Sequence, residues 1–185
     1  MNLETAIDIA NTELKKKKIK SSMLDCEILM STVMNNSREF IILNSKKKIK
    51  KNNYNYFKKL VYERSKGKPI AYITGKKYFW KYEFEINEDV LIPRPDTEII
   101  IEQVFNIFKN KSRINLLDIG VGSGCILLSI LKEKKNYLGT GIDMSNECVK
   151  LSKINANKLG VKNRVKIFKS NVDNFNFGKY DLIIS

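Results

Sequence analysis

The sequence predicts an α/β fold, in which a parallel-sheet domain follows a small all-α domain and a β-hairpin. Three features say so. From Asn115 onward, short β-prone apolar runs alternate with helical patterns, the arrangement that gives a parallel sheet with right-handed crossovers. The first 75 or so residues show helical periodicity only. Between the two, Tyr78 to Leu91 alternates aromatic and acidic residues as paired strands do.

The elements follow in order. Leu3, Ala6, Ile7, Ala10 and Leu14 recur at helical spacing and predict a helix from about residue 3 to 17. Ser22 is placed to cap a second helix carrying Leu24, Ile28, Leu29 and Val33. A short apolar helix, Glu39 to Leu43, comes next, and the run Lys46 to Lys51 is expected to be solvated. A further helix holds Tyr54, Phe57, Leu60, Val61 and Arg64, and Gly67, Pro69 and Gly75 mark a change of structure. Trp80, Tyr82 and Phe84 in the hairpin suit packing better than ligand contact. Pro93 and Pro95 stop the strands, and Asp96 or Thr97 can cap a helix carrying Ile99, Ile100, Val104, Ile107 and Phe108. Strands are expected at Asn115–Ile119, Leu138–Asp143, Val165–Lys169 and Asp181–Ser185, with helices over Gly124–Lys134 and Asn146–Leu159. The chain therefore divides into 1–75, a hairpin and linker over 76–95, and a sheet domain over 96–185. Four strands would supply only one side of a doubly wound sheet and leave Tyr180–Ser185 as an apolar edge prone to self-association, so the expectation is a truncated domain.

The chemistry centres on Asp118-Ile119-Gly120-Val121-Gly122-Ser123-Gly124, where a strand runs into glycines and then a helix. Such a turn lets backbone N–H groups and a helix N-terminus approach a ligand. A second acid, Asp143, ends the next strand. Two acids around a glycine turn suit a nucleoside with an amino-acid tail, such as S-adenosylmethionine. The competing ligand is a dinucleotide, whose turn wants a small third residue at the sixth position, where this chain has Cys125. Asp118 would also repel a pyrophosphate, whereas it would attract the ammonium of a methionine. Asp143 has a plainer reading as a cap for the helix near Asn146, and Arg94 as a surface turn residue.

Composition narrows the classes. The 185 residues include no histidine, which removes histidine general bases, Ser-His-Asp triads and histidine-ligated metals. Three dispersed cysteines, Cys26, Cys125 and Cys148, form no C-x-x-C pair, which fits a reducing compartment and no zinc or other metal site. No run of about 18 apolar residues occurs and the N-terminus lacks a basic-then-apolar layout, so neither a membrane span nor a signal peptide is expected. The net charge of +14 agrees with an acidic or nucleic-acid-bound partner, and equally with heavy Lys, Ile and Asn usage throughout.

Four stretches carry a resemblance to a known family. They are Gly67-Lys68-Pro69-Ile70-Ala71-Tyr72-Ile73-Thr74-Gly75, then Leu91-Ile92-Pro93-Arg94-Pro95-Asp96-Thr97-Glu98, the Asp118–Gly124 turn, and Asp181-Leu182-Ile183-Ile184-Ser185. With Ile154-Asn155-Ala156-Asn157, they make residues 60 to 185 similar to the HemK family, methyltransferases that modify the glutamine nitrogen N5 of peptide chain release factors. The second stretch is the most specific. The resemblance implies a Rossmann-like class I methyltransferase domain, incomplete at its C-terminus, and a helical domain that helps recognise the release factor. It implies S-adenosyl-L-methionine as cofactor, held by Asp118, Gly120, Val121, Gly122, Ser123, Gly124, Asp143, Asn171 and Val172. Backbone N–H groups of the turn would face the methionine end, and Asp143 the ribose hydroxyls. Pro93, Arg94 and Pro95 would border the active site.

Two departures stand out. The family continues after the serine with Asn-Pro-Pro-Tyr, whose asparagine and backbone carbonyl would orient the amide nitrogen. Those residues do not occur here, so residues 1–185 by themselves are expected to lack catalysis and to bind cofactor weakly. Where the family has an acid and an aromatic after the third strand, this chain has Asn171 and Val172. Asn171 could accept from the adenine amino group, while Val172 offers less stacking surface. The expected partners are release factors and no membrane, with a monomeric, cytoplasmic bacterial parent; an organellar location is the alternative. The second function class is methylation of an exocyclic amine in DNA or RNA, since adenine methyltransferases use a similar loop. The charge favours that class, and the Leu-Ile-Pro-Arg-Pro element favours a protein substrate.

Overall fold

The computed structural model describes residues 1–185, which form two compact units, Met1–Thr74 and Gly75–Ser185. No helix is long and apolar enough to cross a membrane.

The first unit is all helical. Helix α1 (Leu3–Lys16) starts where the Asn2 side chain accepts the Thr5 N–H at 2.8 Å. Glu4 in its first turn and Lys15 and Lys16 in its last match the helix dipole. Its buried stripe is Leu3, Ala6, Ile7, Ala10, Asn11 and Leu14, close to the expected one. Helix α2 (Ser22–Met34) corrects the sequence reading. Its cap position is Ser21, with no side-chain cap bond, and Ser22 is buried with its hydroxyl donating to Asn11 Oδ1 at 2.8 Å. Its inward face is Ser22, Asp25, Cys26, Leu29 and Met30, and Leu24 is exposed. The helix turns a polar residue inward because a partner waits there: Asp25 Oδ2 accepts Arg64 Nε at 2.7 Å and the Ser21 hydroxyl at 3.0 Å.

Helix α3 (Arg38–Leu43) is capped by Ser37, and α4 (Lys51–Ser65) buries Phe57, Leu60 and Val61. The expected lysine run is exposed, but its backbone is not idle. Leu3 and Glu4 donate their N–H groups to Lys47 and Ser45 carbonyls, and Ile49 donates to Met1. Ile70–Thr74, read from sequence only as part of a break, is a short helix α5 that places Ala71 in the core.

The second unit opens with the hairpin, β1 (Lys76–Phe79) and β2 (Tyr82–Glu85), paired antiparallel from Lys76 opposite Glu85 to Phe79 opposite Tyr82. It ends six residues short of the expected Leu91, and residues 86–94 form a loop. Its Trp80-Lys81 turn puts Trp80 at φ +57°, strained for a non-glycine residue. Glu133 and Glu98 hold it there: Glu133 Oε1 accepts Trp80 Nε1 at 3.1 Å and the Tyr82 hydroxyl at 2.9 Å, and Glu98 Oε1 accepts the Trp80 N–H at 2.7 Å. Phe79 and Phe84 are buried, and Trp80 meets Phe105 edge-on at 6.3 Å, in keeping with a packing role.

A 3-10 turn, Pro95–Thr97, leads into α6 (Glu98–Ile107), so neither Asp96 nor Thr97 supplies the expected side-chain cap. Then follow β3 (Asn115–Ile119), α7 (Cys125–Glu133), β4 (Leu138–Asp143), α8 (Asn146–Lys158), β5 (Val165–Lys169) and β6 (Leu182–Ile184). The sheet order is β5-β4-β3-β6, with every pair parallel. Here too the sequence reading needs correction. The strands do not lie on one side only, because β6 pairs with β3 on the edge opposite β4. Strand order therefore reverses at β3, and open parallel sheets bind ligands beyond the carboxyl ends of strands at such a reversal. Asp118, next to last in β3, and Asp143, last in β4, lie there.

Candidate cofactor site

The glycine turn between β3 and α7 is built by close contact. Gly120, Gly122 and Gly124 have φ of +79°, +52° and +80°, a region open to glycine and costly for other residues. The Gly120 and Val121 N–H groups both donate to the Ile142 carbonyl at 2.9 Å, which ties the turn to β4. Val121 is buried against Gly141, where an added Cβ would lie 2.8 Å from Val121 Cγ2. A bare backbone at Gly141 is thus what lets the turn sit on the sheet.

This geometry redistributes the expected ligand contacts. Val121 anchors the turn with both its side chain and its N–H, so neither faces a ligand. The Gly122 N–H donates to Asp143 Oδ2 at 2.9 Å, so it too has an acceptor within the protein. Within the turn, Val121, Ser123 and Gly124 are buried. The Gly124 N–H donates to the Val121 carbonyl at 2.7 Å, so four of the five N–H groups from Gly120 to Gly124 have acceptors within the protein.

Asp118 is 3% exposed near the end of β3. Burial pushes its carboxyl up to about 7, the Leu127 N–H pulls it partly back, and the negative charge of Asp143 pushes it further up. No cation is paired with it in this structure. A buried carboxylate in this state gains most from a cationic ligand group. Asp143 has both oxygens engaged by backbone, Oδ2 by Gly122 and Oδ1 by the Ser145 N–H at 2.9 Å. Each oxygen keeps a second lone pair for a ligand hydroxyl. The cap of α8 is Ser145, whose hydroxyl accepts the Cys148 N–H at 3.3 Å; Asp143 braces the loop before it.

The structure brings further expected residues to this end of the sheet. Ser170 donates its N–H to the Asp143 carbonyl at 3.0 Å, which sets the Asn171-Val172 loop beside Asp143. Asn171 Oδ1 accepts the Asn174 N–H at 3.0 Å, so one of its lone pairs already serves the loop, and Val172 is exposed. Pro93 is buried, while Arg94 and Pro95 are exposed. Their loop is held to the turn by Val90, whose Cγ1 lies 3.7 Å from where a Gly122 Cβ would stand and which packs with Cys148 and Leu151. Desolvation raises the Cys125 thiol beside the turn to about 11, so it stays neutral at physiological pH.

Sequence reasoning gave no role to two residues here. Met144 is a large apolar side chain left 73% exposed immediately after Asp143. Asn155 is fully buried on the inner face of α8, with its amide bonded to Glu85 and Ser123. The signal for the first was adjacency to the acid. The signal for the second was a polar residue in phase with Cys148, Leu151 and Ser152 on the helix's buried face.

Comparison with known proteins agrees with this architecture. Residues 5–75 match the family described as the PrmC N-terminal domain, and residues 97–185 match the methyltransferase small domain. The release factor glutamine methyltransferase of Leptospira interrogans is 38% identical over 161 residues, covering 86% of this chain and 56% of that protein. The protein of the same name from Buchnera aphidicola subsp. Schizaphis graminum is 39% identical over 161 residues, covering 87% of this chain and 58% of its own length. A bifunctional methyltransferase of Rickettsia conorii is 32% identical over the whole of this chain and 40% of its own length. The chain thus spans little more than half the length of the first two relatives. With its helical domain and its glycine-turn domain both matched in order, the chain belongs to the release factor glutamine methyltransferase family.

Proposed function

We propose that the intact protein methylates the side-chain nitrogen of the glutamine in a Gly-Gly-Gln loop of peptide chain release factors, using S-adenosyl-L-methionine, as a cytoplasmic monomer. One observation carries the cofactor assignment: a buried Asp118 without a cationic partner, under a glycine turn, with Asp143 at the next strand end. These residues fit that ligand class. Asp118 matches an ammonium, the Ser123 N–H and the start of α7 match a carboxylate, and Asp143 has lone pairs left for two hydroxyls. Met144 and Val172 offer apolar surface for a base, and Asn171 a single remaining acceptor position.

The bound cofactor would supply an electrophilic methyl group on a sulfonium. What the chain's own residues do is hold and exclude. Asp143 and the turn fix the ligand's position, and Pro93–Pro95 lie on a loop anchored to that turn by Val90. An amide nitrogen needs orientation rather than a strong base, which agrees with a chain without histidine. Residues 1–185 contain no Asn-Pro-Pro-Tyr, so we assign turnover to a protein that has it and expect these residues alone to be inactive.

Two measurements test the reading. Asp143→Ala removes two charge-assisted acceptors worth together roughly 3–6 kcal/mol at most, so calorimetry should show a large loss of cofactor affinity. Unchanged affinity removes Asp143 from the site. Labelled cofactor offered with a release factor, DNA or RNA should mark the release factor. The net charge of +14 favours the second reading, methylation of an exocyclic amine in nucleic acid. Label in nucleic acid alone would establish that reading instead.

A further inference from the structure

We infer that Asn155 is a positioning residue that locks the glycine turn in its ligand-receiving orientation and ties it to the strand leading into the Pro93–Pro95 loop. The inference rests on the cofactor reading above for its consequence, and on geometry for its substance. Asn155 Oδ1 accepts the Glu85 N–H at 2.8 Å, and Nδ2 donates to the Glu85 carbonyl at 3.1 Å and to the Ser123 carbonyl at 2.9 Å. The amide thus pairs with both backbone groups of Glu85, as a neighbouring strand's peptide would, and spends its remaining donor on the turn. It is 0% exposed, so no water can take over these bonds at the surface.

The Ser123 carbonyl is where a pin matters most. It shares a peptide plane with the Gly124 N–H, which donates to the Val121 carbonyl at 2.7 Å. Gly122 and Gly124 flank it at positive φ, where glycine rotates at little cost. Without a side-chain partner, that peptide could flip and turn its carbonyl toward the anionic end of a ligand. Asn155 fixes the carbonyl on the α8 side and so keeps it away from the ligand side of the turn. Because the same amide grips Glu85, the turn and the route to Pro93 share one fixed point.

Lys158 supplies the control. One turn along α8, it bonds the carboxylates of Glu83 and Glu85 at 2.8 and 2.7 Å, and so fastens the same strand without touching Ser123. The test compares Asn155→Asp, Asn155→Ala and Lys158→Ala in the intact protein. The first keeps side-chain size and the acceptor for Glu85 while losing both donors. Hydrogen exchange at the Gly124 amide should accelerate roughly tenfold or more in the Asn155 variants and stay unchanged in Lys158→Ala. Calorimetry with S-adenosylmethionine should show an affinity loss of about tenfold for the Asn155 variants and less than about twofold for Lys158→Ala. Unchanged Gly124 exchange in a folded Asn155 variant, or equal losses in Lys158→Ala, overturns the inference. Accelerated exchange together with a wild-type protein that does not bind the cofactor supports the pin and sinks the cofactor reading instead.

Discussion

Replacing Asp118 by asparagine separates two effects of one carboxylate that run in opposite directions with pH. Burial raises the Asp118 carboxyl to about 7, against the Leu127 N–H and with the help of Asp143. An unfolded aspartate ionises near 3.9, so between about pH 4 and 7 the folded protein holds a proton that the unfolded chain has released. The stability this contributes is complete below about pH 4 and is lost as pH rises through 7. About 3 units at 1.36 kcal/mol each set a ceiling of roughly 4 kcal/mol. Asparagine stays neutral, so ligand-free Asp118→Asn should melt higher than wild type at pH 8, with the gap closing toward pH 5. Cofactor binding reverses the preference, since an ammonium needs the ionised carboxylate. With a midpoint near 7, about one Asp118 in ten is ionised at pH 6 and nine in ten at pH 8, so wild-type affinity should rise about tenfold from pH 6 to pH 8. Asp118→Asn should bind weakly and with a flat profile. Cys125, raised to about 11, does not titrate in this window. Calorimetry and thermal melts from pH 5 to 8.5 give both readouts. A flat wild-type affinity between pH 6 and 8, or a variant that binds as wild type at pH 8, refutes the assignment of Asp118 as the receiver of the ligand's cation.

Other outcomes follow from single contacts. Gly141→Ala places a Cβ 2.8 Å from Val121 Cγ2, so it should lift the glycine turn, cost about 1–3 kcal/mol in urea denaturation and weaken cofactor binding from a neighbouring strand. An unaltered affinity would show that the turn tolerates displacement. Asp25→Ala leaves Arg64, largely buried, with only the Lys68 carbonyl, and should cost about 2–4 kcal/mol; a smaller loss would mean that water reaches the guanidinium. Glu133→Ala removes the shared acceptor of Trp80 and Tyr82, so the single tryptophan's emission should shift to the red. Unchanged emission would show that the Trp80 turn holds its strained φ without Glu133.

The order of strands and helices in the second unit was legible because each strand is a short apolar run bounded by glycine, asparagine or a charge. β3, β4 and β5 begin and end where the pattern changes. The glycine turn and its two acids were legible for a similar reason: residue type and spacing along the chain determine where a turn can form and what charge it offers. Other features depended on partners distant in sequence. The inward rotation of α2 toward Asp25 needs Arg64, 39 residues away, and the position of β6 beside β3 is a matter of pairing that no local pattern encodes. The same holds within the site. Sequence nominated the turn's N–H groups as ligand donors, but the Ile142 carbonyl and Asp143 had already claimed three of them. Asn155 had no role beyond its place in the Ile154–Asn157 stretch until folding brought Glu85 and Ser123 to it from 70 and 32 residues away. Local propensity and charge are properties of neighbours in the chain, so the sequence by itself determined the elements and the chemical kind of site. Which donors stay free, how deeply a carboxylate is desolvated and what pins a flexible turn depend on groups that meet only in the folded chain, so the tertiary structure alone decided them.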